Sequence, residues 1–250
     1  MNPVLRWFHQ LGSPPTFNAF AARWAPWLYA AALPLLAYGV WAGLFVVPPD
    51  YQQGDSYRIL FVHVPSAWMS LFIFGVMALN AFIALVWRIK LSETLAMCCA
   101  PIGAGFTLLT LATGSLWGKP MWGTWWTWDA RLTSELVLLF LYLGVIGLYA
   151  AIEDRRAAAR AACFLALVGV VNVPIVHFSV EWWNTLHQGA TIRLIGKSTM
   201  DASMIAPLIA MTFGTKFWFA ASLLARTRVA TLELEGGKDW VRRLAGGPTR

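Results

Sequence analysis

Trp117-Gly118-Lys119-Pro120-Met121-Trp122-Gly123-Thr124-Trp125-Trp126-Thr127-Trp128-Asp129 places five of the chain's 15 tryptophans within 13 positions. Apolar runs long enough to span a bilayer flank it on both sides. Gly118, Pro120 and Gly123 argue against a continuous helix, because glycine loosens the backbone and proline removes a donor. The stretch is therefore expected to be a folded loop or broken helix at a membrane surface, presenting several indole faces together. An indole suits that depth, having an apolar body and one N–H donor. A plain aromatic belt needs about one or two tryptophans per helix end. Five point instead to a surface for a flat, apolar ligand, with the belt as the plainer alternative.

The composition agrees with the membrane setting. The 250 residues are 58% hydrophobic and only 12% charged, against about a quarter charged in soluble domains. Mean hydropathy is +0.59. The fold class expected is an all-α integral membrane protein with six transmembrane helices and both termini cytoplasmic. The spans fall at about 27–47, 63–87, 95–116, 131–152, 161–179 and 203–225, each near the ~20 residues that cross the hydrocarbon layer as a helix. Residues 1–225 form one transmembrane domain and 226–250 a charged, glycine-containing cytoplasmic tail. Residues 1–24, broken by Pro14 and Pro15, read as a short amphipathic piece on the membrane surface. The first apolar run is too long for a signal-peptide core and lacks a cleavage site, so it is expected to be retained.

The net charge of +7 is read through topology. No interleaved basic face of the kind nucleic acid requires is visible, which excludes that class of partner. One side of the bundle collects thirteen of the 19 Lys and Arg residues: those of the N-terminus, the turns at 88–94 and 153–160, and the tail. The other side collects five, namely Arg58, Lys119, Arg131, Arg193 and Lys197, and Lys216 stays inside the last span. The positive-inside rule puts both termini in the cytoplasm. The tryptophan segment 117–130 and the loops 48–62 and 180–202 then share the outer face, which in a bacterium is the periplasm.

Two of the four histidines fall on that face. His63 begins the second span in His63-Val64-Pro65-Ser66-Ala67-Trp68, and His187 lies in the last outer loop after Trp182 and Trp183. A lone loop histidine usually hydrogen-bonds at a surface. Two imidazoles flanking an indole-walled pocket suit the two axial positions of a heme. His177, at the end of the fifth span, reads as a packing or supporting group, and His9 has no evident partner. Cys98, Cys99 and Cys163 read as small apolar packing residues; without Cys-x-x-Cys-His, heme is not expected to be attached covalently.

At these residues the chain resembles heme exporter protein C, the six-helix member of the tryptophan-rich (WWD-type) heme-handling proteins of bacterial cytochrome c maturation. The match lies in Trp117-Gly118-x-Pro120-x-Trp122-Gly123-x-Trp125-Trp126-x-Trp128-Asp129-x-Arg131, in the segment opening with His63, and in Trp182-Trp183-Asn184-Thr185-Leu186-His187-Gln188-Gly189, over about residues 27–225. The resemblance implies a multi-pass subunit of the bacterial inner membrane that holds heme b, non-covalently and transiently, at the periplasmic face and loads it onto a membrane-tethered heme chaperone. It also implies an ABC-type ATPase, a second membrane subunit, a small membrane subunit and membrane lipid as partners. No Gly-x-x-x-x-Gly-Lys-[Ser/Thr] occurs, so ATP hydrolysis falls to a partner.

The roles expected follow. His63 and His187 ligate the iron; Trp117, Trp122, Trp125, Trp126, Trp128, Trp182 and Trp183 form the platform; Gly118, Pro120, Gly123 and Asp129 shape the motif. Arg58, Arg131 and Arg193 are candidate propionate contacts, with Lys119 and Lys197 also on that face. Arg131 is the most attractive, since a guanidinium binds a carboxylate bidentately; its alternative is an i,i+4 pair with Glu135. Asp129 stands at the N-cap of the fourth span and can also orient a ligand group. Two other functions stay open. A permease-like channel for heme or another substrate is one, although the scarcity of ionisable residues in the spans counts against an ion path. A membrane heme lyase or oxidoreductase is the other, although the outer loops show no nucleophile–base or redox-cysteine pair.

Overall fold

The computed structural model describes residues 12–185, 187 and 200–246. Its helices are α1 Pro14–Trp41, α2 Leu60–Trp87, α3 Lys90–Trp122, α4 Ala130–Ala151, α5 Arg155–Gly169, α6 Asn172–Trp182, α7 Ala202–Leu234 and the short α8 Asp239–Leu244. A π turn, Ala42–Val46, extends α1, and a 3-10 turn, Asp55–Ile59, leads into α2. Grouped with those turns, and with α5 and α6 taken together, they give six segments long and apolar enough to cross a membrane. The connections after the first, third and fifth segments share one end of the bundle, named the outer end from the charge count above.

Most boundaries run longer than the hydropathy suggests. The first span begins at Pro14, so Pro14 and Pro15 start a helix instead of breaking a surface piece. Proline is pre-organised for the first helical positions, where its missing N–H has no partner anyway. The third span continues to Trp122, straight through Gly118 and Pro120. This corrects the expectation of a folded loop or broken helix from residue 117: one lost hydrogen bond at Pro120 does not end a helix held on both sides by packing. What ends it is Gly123, at φ 76°, a left-handed cap that only glycine adopts cheaply; its N–H bonds the Lys119 carbonyl. The fifth span is broken at Val170–Val171. Pro174 explains the break, because its ring clashes with the carbonyl of Val170 and offers it no donor.

The main core joins α2, α3, α4, α5 and α7 through Met69, Ile73, Phe74, Cys99, Leu138, Tyr142, Cys163 and Phe219. Cys98, Cys99 and Cys163 are all buried and free, as small packing residues. Tyr142 is fully buried, donates from its hydroxyl to the Ser70 carbonyl at 2.7 Å, and meets Phe74 edge-on. Its ring lies directly on Gly103, where a Cβ would collide with it. Gly103→Ala is therefore expected to cost about 1–3 kcal/mol by overpacking. A thermal unfolding curve in detergent matching the wild type would contradict that packing. The same core fills the bundle below the outer end.

Candidate histidine cleft at the outer end

His63 sits in the first turn of α2 and faces α3. Its Nδ1 lies 3.0 Å from the Thr113 hydroxyl. That hydroxyl donates to the Leu109 carbonyl at 2.6 Å. Its lone pair therefore accepts from Nδ1–H, which assigns the proton to Nδ1 and leaves Nε2 unprotonated. The ring rests over Gly114, where a Cβ would stand 3.1 Å from Cε1. It also meets Trp117 edge-on at 5.7 Å. The Trp117 indole N–H is itself fixed by Gln53 in the first outer connection, at 3.0 Å. Thr110, Thr113, Gly114 and Trp117 follow helical spacing on one face of α3, a signal in the sequence that was there to be read.

His187 approaches from the last outer connection. Its ring packs on Trp122 with centroids 4.9 Å apart. Its Nδ1 faces Asp129 Oδ2 at 3.6 Å, beyond hydrogen-bond length but close enough for charge to matter. Asp129 Oδ1 accepts from the Leu132 N–H at 2.8 Å and caps α4. The cap on α4 is formed; the second oxygen, Oδ2, and His187 Nδ1 face each other with no hydrogen-bond partner among the described residues. Burial and the Arg131 guanidinium push the His187 pKa down, and the Asp129 carboxylate pushes it back up. The imidazole accordingly stays neutral at neutral pH.

Between the histidines lies a cleft of about 20 Å³, room for about one water. His63, His187, Arg131, Glu135, Thr110 and Val176 line it. Arg131 donates to the Val176 carbonyl at 3.4 Å. No ion pair within 4 Å joins it to Glu135 among the described residues, so the i,i+4 pair is not formed as a contact. Glu135 is 5% exposed, and its Oε1 has no hydrogen-bond partner among the described residues. The sequence offers Glu135 as a partner for Arg131 and as an ionisable residue near one end of a span; the structure places it in the cleft.

The tryptophans divide by task. Trp117 and Trp122 brace the two imidazoles. Gly118 serves them by absence: a Cβ there would lie 3.2 Å from both the Thr124 carbonyl and the Trp122 ring, so its lack of a side chain lets the 123–126 loop fold back over α3. Trp126 and Trp128 meet edge-on at 5.4 Å within that loop. Trp125 and Trp128 are 54% and 76% exposed, and offer free indole faces. Trp182 and Trp183 belong elsewhere: Trp182 stacks on Phe178 and meets Trp183 edge-on, with no described ring contact to the cleft histidines. His177 is exposed beside Phe178 and does not line the cleft. Arg58 is committed to Asp55 at 2.8 Å and to the Gly43 carbonyl at 3.1 Å, which ties the first outer connection to the π turn. Lys119 donates to the Gly123 carbonyl at 3.0 Å. Arg193 and Lys197 lie outside the described residues, as does His9.

Comparison with known proteins bears on these features. The sequence model of the family described as "Heme exporter protein C" matches residues 7–242. A protein named "Heme exporter protein C" from Escherichia coli is 52% identical over 94% of this chain and 95% of its own length. One of the same name from Haemophilus influenzae is 47% identical over 96% and 98%. A "putative cytochrome c biosynthesis ccmC-like mitochondrial protein" from Arabidopsis thaliana is 40% identical over 87% of this chain and 83% of its own length.

Proposed function

We propose that this chain, which belongs to the heme exporter protein C family, is a multi-pass membrane subunit that handles heme in cytochrome c maturation and is not itself an enzyme. In the finer reading it sits in the bacterial inner membrane, holds heme at the periplasmic end of the bundle and passes it to a membrane-tethered chaperone. An ABC-type ATPase and further membrane subunits work with it. Heme is the cargo.

The observation that carries the reading is the matched pair of imidazoles. Each has its Nδ1 turned to a protein oxygen, Thr113 Oγ1 for His63 and an Asp129 carboxylate oxygen for His187. For His63 the hydrogen bond fixes the ring and leaves Nε2 for iron; for His187 the Asp129 carboxylate lies at 3.6 Å, where a small movement of the loop would make the same bond. Arg131, in the same cleft, suits a propionate. Trp125 and Trp128 offer stacking area to the macrocycle. A porphyrin is far larger than the 20 Å³ cleft, so it reaches both nitrogens by displacing His187 outward from α3. The interior below is filled by Met69, Ile73, Phe74, Leu138 and Tyr142, which favours a site at the membrane surface over a path through the bundle.

Heme transfer to the purified chaperone, measured by absorption with and without the ATPase, tests the function. Trp125→Ala/Trp128→Ala should accumulate normally and transfer less heme. Undiminished transfer by that variant would reduce these tryptophans to membrane anchors. The pH dependence gives a second check. Protonation of an imidazole competes with iron, and the pKa of His187 lies below the ordinary value of about 6.5. Heme retention should stay level from about pH 8 to about pH 6.5 and fall only at lower pH. A release midpoint above that value would contradict the environment assigned to His187.

A further inference from the structure

Lys216 stands where a charge is least stable. A hydrocarbon layer of ~30 Å takes about 20 helical residues. If that layer ends at Arg226, at the basic end of α7, its centre falls about ten residues earlier, roughly 15 Å along the helix, on Lys216. The outer end of α7 at Ala202 is farther still, roughly 21 Å away. A lysine stem reaches neither interface, so snorkelling does not take the ammonium to water. Its side chain is exposed. Its one described contact is with Phe213 on the same helix, Nζ standing 5.7 Å from the ring centroid. Side chains on a helix lean towards its N-terminus, which points this one away from Arg226.

Among the described residues no carboxylate pairs with Lys216. Glu135, the carboxylate within the fourth span, lines the histidine cleft. The opposite face of α7 is taken up by α1, with Gly214 close against Leu36 and Met211 close against Gly39. Ile209, Phe213 and Lys216 recur at helical spacing on the outward face, and Ile209 and Phe213 are each 49% exposed. Charges inside membranes face a partner or a cavity. We infer that this face of α7 docks a transmembrane helix of another subunit of the assembly, and that this helix carries an Asp or Glu at mid-depth to pair with Lys216. The inference rests on the reading that the chain works in a multi-subunit complex, but not on the histidine cleft.

The test uses the full chain co-expressed with the other membrane subunits and the ATPase, purified through a tag on this chain, with composition read by native mass spectrometry. Lys216→Arg should keep the wild-type composition. Lys216→Glu should lose one membrane subunit, and Lys216→Leu should weaken its retention. Replacing the mid-span Asp or Glu of the lost subunit by Lys should restore it to the Lys216→Glu chain and not to the wild type. Gel filtration and heme absorption of the chain alone should be unchanged in every variant, which separates docking from folding and from the heme site. A Lys216→Glu complex of wild-type composition, or a loss that no such charge swap restores, would overturn the inference and leave lipid as the only neighbour of this face.

Discussion

Replacing His63 and His187 together by alanine should bring heme retention to background while the six-span bundle still forms. The two rings contribute little to the core, which is built lower down by Met69, Phe74, Leu138 and Tyr142. Without them no ligating nitrogen remains among the described residues that line the cleft: Arg131 carries none that binds a metal, and His177 is exposed and lies outside the cleft. Stacking on Trp125 and Trp128 gives area without orientation. Single replacements should each leave one ligand, with weaker retention and a high-spin component. Heme content of purified protein, set against yield and thermal stability, is the readout. A double variant with wild-type occupancy would remove both histidines from the site and bring His177 under examination.

The second large effect is expected at Asp129, where Oδ1 caps α4 and Oδ2 faces His187 at 3.6 Å. Asp129→Asn keeps an acceptor for the Leu132 N–H and so keeps the cap of α4, but removes the charge facing His187. Stability should change little, while heme affinity falls about 10–100-fold, the usual cost of losing a supporting group behind a ligating histidine. Asp129→Ala should lose the affinity and also about 1 kcal/mol of stability from the missing cap. Equal heme affinity in the wild type and Asp129→Asn would reduce Asp129 to a helix cap. Equal loss of stability in both variants would contradict the division between its oxygens.

The membrane class and the six spans were legible because apolar length is written directly in the sequence, and the two histidines and the tryptophan cluster stood out by density. Boundaries were less legible. Pro120 reads as a breaker in isolation, yet α3 passes through it because its neighbours hold it; the real stop is the left-handed Gly123. Gly118 reads as looseness, and its role is clearance under the Thr124 carbonyl. Trp182 and Trp183 look equivalent to the other tryptophans in composition, but the fold stacks Trp182 on Phe178 and sets Trp183 edge-on against Trp182. Thr113 and Gln53 went unnoticed because their roles come from contacts across 50 and 64 residues. Only the α2–α3 packing and the first outer connection bring those contacts about.

The central claim is that both imidazoles bind one iron. Resonance Raman and absorption spectra of the heme-loaded wild-type chain test it most directly. The account predicts a six-coordinate, low-spin heme with two nitrogen ligands, extractable by acid and organic solvent. A five-coordinate high-spin heme, or a thiolate signature from one of the buried cysteines, would contradict it.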